Sequence, residues 1–148
     1  MDSDETVRLG PLEDLAGYHL RRASAVVSAD FARIMAGTGM RQVLVGILSI
    51  IAANPGINQG AAGRALGIQR ANMVSLMNEL VEARLVVRQV SAEDRRAFTF
   101  DMTPLGIATL DEALARIREH EERMMAGMSR AERQMLVDLL TRIETIPG

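Results

Sequence analysis

VSAEDRRAFTFDMT, Val90 to Thr103, sets Ser91, Glu93, Asp94, Arg95 and Arg96 between two short runs rich in Val, Phe and Thr. Apolar and β-branched runs flanking a polar, charged cluster predict a β-hairpin with its charges at the tip. A charged turn is ordinarily just a solvated turn. Two adjacent guanidinium groups at the most exposed point acquire a use only if the hairpin flanks something that needs them.

Upstream lies QRANMVSLMNEL, Gln69 to Leu80. At helical spacing Met73, Met77 and Leu80 share one face and pack inward, which leaves Gln69, Arg70, Asn72 and Ser75 elsewhere. Those four offer donors and acceptors without a negative charge, which is what a helix entering a DNA major groove requires beside phosphates. Before it, Asn58 is placed to cap a short helix ending at Leu66, with Gly67 as its stop. Short helix, tight turn, helix, hairpin is the layout of a winged helix-turn-helix. In that setting the hairpin tip reaches the adjacent minor groove, where arginine suits the narrow, negative channel. Asp94 then braces Arg96 across the turn.

Farther out, Leu12 to about Ala36 predicts a long helix striped by Leu20, Ala23, Val27, Phe31 and Ile34. Arg41 to Ala53 predicts a second, mostly buried helix, stopped by Asn54-Pro55-Gly56. Thr103-Pro104 starts a helix to about Ala126, a capping residue followed by proline at the first helical position. Ile107, Leu110, Leu114, Ile117, Met124 and Met128 give it a coiled-coil-like seam broken only at Glu121. Ser129 and Glu132 form a capping-box pattern for a last helix bearing Met135, Leu136, Leu139, Leu140 and Ile143. Such stripes serve either the chain's own core or a second copy. Broad apolar faces at both ends of a small chain favour a homodimer.

Composition bounds the alternatives. The 148 residues are 48% hydrophobic but only 3% aromatic, so the core is aliphatic and methionine-rich. Cysteine is absent, which excludes disulfides and thiolate metal sites. All 17 basic residues are arginine, which excludes a Schiff-base lysine and a P-loop lysine. The start, MDSDET, is not a secretory signal, and the apolar run Val43 to Ala53 is too short for a bilayer. A cytoplasmic protein with no membrane segment is expected. The net charge of −2 argues against a generally basic, DNA-coating protein, but no acid lies between Asp30 and Glu79 while Arg33, Arg41, Arg64 and Arg70 do. With two histidines about a hundred positions apart, no nucleophile arrangement, metal-ligand spacing or phosphate loop, the chain is expected to be neither an enzyme nor a cofactor carrier. His120, in REHEER, is expected on a solvated face.

The chain resembles the MarR (multiple antibiotic resistance regulator) family of winged helix-turn-helix transcription factors. The residues that carry the likeness are NPGINQ (Asn54 to Gln59), RALGIQRANMVSLMNEL (Arg64 to Leu80), LVVR (Leu85 to Arg88), DRR (Asp94 to Arg96) and MTPLG (Met102 to Gly106). The resemblance implies a mainly α fold with a small β-hairpin, one domain over residues 1–148. Helices within 12–36 and 104–146 would dimerise, and 41–102 would form the DNA-binding lobe. It implies a near-palindromic double-stranded operator, read by Gln69, Arg70, Asn72 and Ser75 with Arg88, Arg95 and Arg96, and repression relieved by a small ligand. IQRANMV is similar to regulators of aromatic-acid catabolism, whose inducers are acids or CoA thioesters. Tyr18, His19, Arg22 and Arg41 are the polar candidates for such a ligand, with Met35, Met40 and Val43 as adaptable apolar walls. A helical protein–protein adaptor without ligand control is the alternative, though it would need no acid-free reading helix.

Four positions depart from the family pattern. Gly60 and Gly63 each cost the short helix roughly 1 kcal/mol of propensity. Arg84 stands at the usual glycine after the reading helix. Glu79 stands where a basic residue is common, and weakens phosphate affinity unless an arginine such as Arg88 neutralises it.

Overall fold

The computed structural model describes residues 6–146, so most of the acidic MDSDET start lies outside the described residues. The chain runs from a 3-10 turn, Gly10–Asp14, into α1 (Ala16–Met35), α2 (Gln42–Ala53), β1 (Ile57–Asn58), α3 (Gln59–Leu66) and α4 (Arg70–Glu82). Then come β2 (Val86–Val90), β3 (Phe98–Met102), α5 (Pro104–Met124) and α6 (Arg130–Glu144). The fold is mainly α with a small sheet, a winged helix-turn-helix, as the sequence predicts. Helix α1 starts later than Leu12 because Leu15 is extended, with ψ 108°, and separates the 3-10 turn from the helix.

The mostly aliphatic α2 is the centre of the molecule, with Leu44, Val45, Ile47, Leu48 and Ile51 buried. Around it pack Met73, Met77 and Leu80 of α4, Phe100 of β3, and Leu110 and Ala113 of α5. Asn54 ends α2 by donating from Nδ2 to the Ile50 carbonyl at 2.9 Å. The chain then turns so that Gly56 N–H reaches the Phe100 carbonyl, and Ile57 pairs with Phe100. The sheet therefore has three antiparallel strands, in the order β1-β3-β2, where the sequence predicts only a two-stranded hairpin. Two residues are too few to show a strand period, so β1 left no pattern to read.

Local chemistry fixes the helix ends. The Asn58 side chain accepts from Ala61 N–H at 2.7 Å, and left-handed Gly67 closes α3. Gly63 earns its place by packing: a Cβ there would lie 2.9 Å from Met73 Cγ and 3.2 Å from the Ile68 carbonyl, so α3 and α4 approach too closely for a side chain. Thr103 caps α5 through Gly106 N–H, and Ser129 with Glu132 completes the capping box of α6.

Part of the α5 seam serves the chain's own core, since Leu110 is buried and Leu114 and Ile117 pack against that core, while Ile107 and Met128 are exposed. One expectation for α5 is corrected. His120 is not on a solvated face but only 3% exposed, with Nδ1 2.6 Å from Asp30 Oδ2 of α1 and its ring edge-on to Phe31. It falls three residues after Ile117 and four before Met124, so it fills the seam where Glu121 had been read as a break. Arg33 and Arg123 also reach Asp30, at 2.7 and 3.2 Å. Arg33 first, then His120, holds the Asp30 carboxyl at about 2, below its usual 3.8.

Helix α6 is different. It has no buried residue, and Met135, Val137, Leu139 and Ile143 are exposed. No helix among the described residues is long and apolar enough to cross a membrane.

Candidate nucleic-acid interface

Helix α4 opens at Gln69, whose extended backbone (φ −64°, ψ 148°) starts the helix without using its side chain as a cap. Gln69, Arg70, Asn72 and Ser75 are all exposed, while Met73, Met77 and Leu80 turn inward as the periodicity predicts. Gln69, Asn72 and Ser75 share one shallow cleft with Val43 and Leu76, so the structure brings three of the reading candidates together. On the other flank of α4 a cleft of about 850 Å³ runs to the wing, and Arg64, Arg70, Arg88 and Arg96 all line it.

The wing tip is ordered by its own side chains. Ser91 Oγ accepts from the amides of Glu93 and Asp94, both at 3.3 Å, and the Ala97 carbonyl accepts from Ser91 N–H at 3.0 Å. Asp94 Oδ1 accepts from the backbone amide of Arg96 at 2.9 Å. The expected brace thus holds the Arg96 backbone rather than its guanidinium. Among the described residues neither Arg95 nor Arg96 forms an ion pair, and both are exposed.

Arg88 behaves differently from the other candidates. It is half-buried, its Nη2 donates to Asn78 Oδ1 on α4, and its guanidinium lies 5.0 Å from the Phe98 ring centre and 5.7 Å from that of Phe100. Its Nε is buried without a hydrogen-bond partner. In this geometry Arg88 ties the wing to α4.

Nor does Arg88 neutralise Glu79. Arg41 does, with Nη1 2.7 Å from Oε1 and Nη2 2.8 Å from Oε2. The hydrogen bonds of this fork lower the Glu79 carboxyl and raise the Arg41 guanidinium. No local pattern could reveal the pair, because 38 positions separate its members. The Arg84 departure is also resolved. The left-handed turn is kept, with Arg84 at φ 61°.

The ligand candidates divide into two groups. Tyr18 and His19 meet edge-on with ring centres 5.3 Å apart, His19 Nε2 lies 2.7 Å from the Glu13 carbonyl, and Arg22 is exposed one turn later. Met35 is buried in the core, with Met40 and Val43 packed against it, while Arg41 is engaged by Glu79. No hydrogen bond or ion pair joins the two groups among the described residues.

A model of the MarR family matches residues 43–97, which hold the core helix, the helix-turn-helix and the wing. A Thauera aromatica protein described as a transcriptional regulator for the hcr operon is 36% identical over 135 residues, 90% of this chain and 81% of that protein. Among solved structures, the transcriptional repressor CouR bound to a 23-mer DNA duplex is 34% identical, with a TM-score of 0.88 over 93% of this chain and 98% of that one. CouR bound to p-coumaroyl-CoA is similar at 32% identity and a TM-score of 0.81, over 94% and 98%. With a helix-turn-helix, an arginine-bearing wing and relatives this similar along nearly its whole length, the chain belongs to the MarR family of DNA-binding transcriptional regulators.

Proposed function

We propose that this regulator is a homodimeric repressor of a near-palindromic operator, released by a small aromatic acid or its CoA thioester. One observation carries the reading: the exposed strip Gln69, Arg70, Asn72 and Ser75, free of acids, lies beside an arginine-lined cleft whose far wall is the wing. With α4 in a major groove, those side chains meet base edges. Arg95 and Arg96 then reach the neighbouring minor groove and phosphates. The uncovered apolar face of α6 supports a second copy, which would set a second reading helix on the next half-site.

The effector reading is supported by CouR, whose p-coumaroyl-CoA complex shares this fold at 32% identity. Tyr18, His19 and Arg22 on α1 supply aromatic and cationic partners for a hydroxyaryl or acid group. Met40 and Val43, half-buried against the core, offer apolar walls, with Met35 behind them in the core. With Arg41 held by Glu79, Arg22, exposed on α1, is the candidate cation for an anionic ligand.

Release requires the ligand to bind the DNA-free state more tightly than the DNA-bound one. Converting 99% bound to 1% bound takes a differential of about 10⁴-fold. The test uses a duplex that the protein itself selects from a randomised pool, challenged with p-coumaroyl-CoA, p-coumaric acid and coenzyme A. The thioester or the acid should release the duplex and raise the melting temperature, and coenzyme A alone should do neither. Retained duplex under all three refutes the effector class. Full ligand affinity in a His19→Ala, Arg22→Ala protein places the pocket elsewhere.

A further inference from the structure

Glu79 occupies a position on α4 that its pairing alone does not explain. Asn72, Ser75 and Glu79 stand at i, i+3 and i+7, so the carboxylate continues the strip that Gln69, Asn72 and Ser75 begin. An acid there repels phosphates as the helix approaches any duplex. Arg41, the residue just before α2, meets it with both guanidinium nitrogens on both carboxylate oxygens. Side-chain exposures of 52% and 45% leave this fork in solvent, where an ion pair contributes little to folding. Its geometry nonetheless has two consequences on the DNA-reading surface. It ties α4 to α2, fixing the helix that carries the reading side chains, and it neutralises a cation that would otherwise be offered to phosphates.

We propose that the Arg41–Glu79 fork is a specificity element, a positioning pair that sets α4 for its operator while withholding one cation from sequence-independent binding. The proposal rests on the operator-reading role given above. Non-specific affinity is almost wholly phosphate charge, so withholding a cation weakens binding to every duplex. Specific affinity depends in addition on base-edge contacts, whose geometry suffers when the reading helix shifts. Breaking the fork from the Glu79 side therefore moves the two affinities apart in one direction. The freed Arg41 adds a phosphate contact everywhere, and the loosened α4 loses registration only on the operator.

The experiment measures binding of the full-length protein to its selected duplex and to a random duplex of equal length across a salt series. Glu79→Gln should tighten random-duplex binding and steepen its log–log salt slope by about one. The ratio of selected to random affinity should fall roughly fivefold or more, the scale of one mis-set base contact. Arg41→Gln should lower that ratio while leaving the random-duplex slope at the wild-type value. The exchange Arg41→Glu with Glu79→Arg rebuilds the fork and should restore both ratio and slope, which a generally damaged fold would not do. A Glu79→Gln protein with wild-type slope and ratio overturns the proposal. So does an Arg41→Gln protein whose random-duplex slope drops by about one, since Arg41 would then already be a phosphate contact. Failure of the wild-type protein to prefer any sequence would instead refute the operator-reading role.

Discussion

Replacing Arg84 with glycine should stabilise the protein, and the expected size follows from the local backbone. Arg84 N–H reaches the Val81 carbonyl and Leu85 N–H reaches the Leu80 carbonyl, both at 3.0 Å. This pair of bonds is the glycine-type helix stop known as the Schellman motif, with Arg84 in the left-handed position at φ 61°. Leu80 and Leu85, both buried, supply its apolar contact. A side chain in that conformation costs about 1–2 kcal/mol. Glycine removes the cost but gives the unfolded chain about 0.4–1 kcal/mol of extra freedom. The net gain is about 0.5–1 kcal/mol, or an increase in melting temperature of roughly 1–4 °C for a chain of this size. The Arg84 side chain has no ion pair among the described residues, so Arg84→Ala, which keeps both strain and Cβ, should stay near wild type. Thermal and urea unfolding at one fixed protein concentration test both variants, since an oligomer's midpoint moves with concentration. Arg84→Gly melting at or below wild type would refute the strain.

Asp30 has a depressed folded pKa of about 2 against its usual 3.8, so its contribution to stability is fully present above 3.8 and is lost as pH falls through about 2. Urea unfolding should find Asp30→Asn weaker than wild type at neutral pH, with the difference closing between those two values; a constant difference would show that the charge is not responsible. Leu139→Glu with Ile143→Glu on the exposed face of α6 should convert a dimer into monomers at micromolar concentration by placing unpaired charges in the interface, so an unchanged mass in light scattering excludes α6. Arg96→Ala should weaken binding to selected and random duplexes alike and reduce the salt slope by about one. Asn72→Ala should keep the slope and cost about 1–3 kcal/mol at a single base pair, and wild-type behaviour of both variants would leave the wing and reading strip without their roles.

Features encoded over a few neighbouring residues were legible in the sequence. The Asn58, Thr103 and Ser129 caps, the Gly67 stop and the inward triad Met73, Met77, Leu80 all follow from spacing and side-chain chemistry within one or two helical turns. What escaped depends on residues far apart. Strand β1 exists because Phe100 offers it a partner, and His120 is buried because Asp30, 90 positions away, satisfies it. Gly63 lowers local helix propensity, and its reason is Met73 of the next helix, which leaves no room for a Cβ.

Charge distribution joins the two levels. The segment between Asp30 and Glu79 is acid-free and locally positive in sequence, but its two bordering acids fold back onto it. Asp30 takes Arg33, and Glu79 takes Arg41, so two of the four arginines in the segment are neutralised at its ends. Arg64 and Arg70 form no ion pair among the described residues, and both line the cleft that Arg96 closes from the wing. The fold thereby narrows a diffuse positive segment into one channel between α4 and the hairpin tip. A net acidic total does not oppose the proposed phosphate contacts there, because attraction depends on charge within about 8–10 Å, the screening distance in physiological salt. Arg96 at the hairpin tip therefore completes a cationic channel whose other wall is α4, beginning at Arg70.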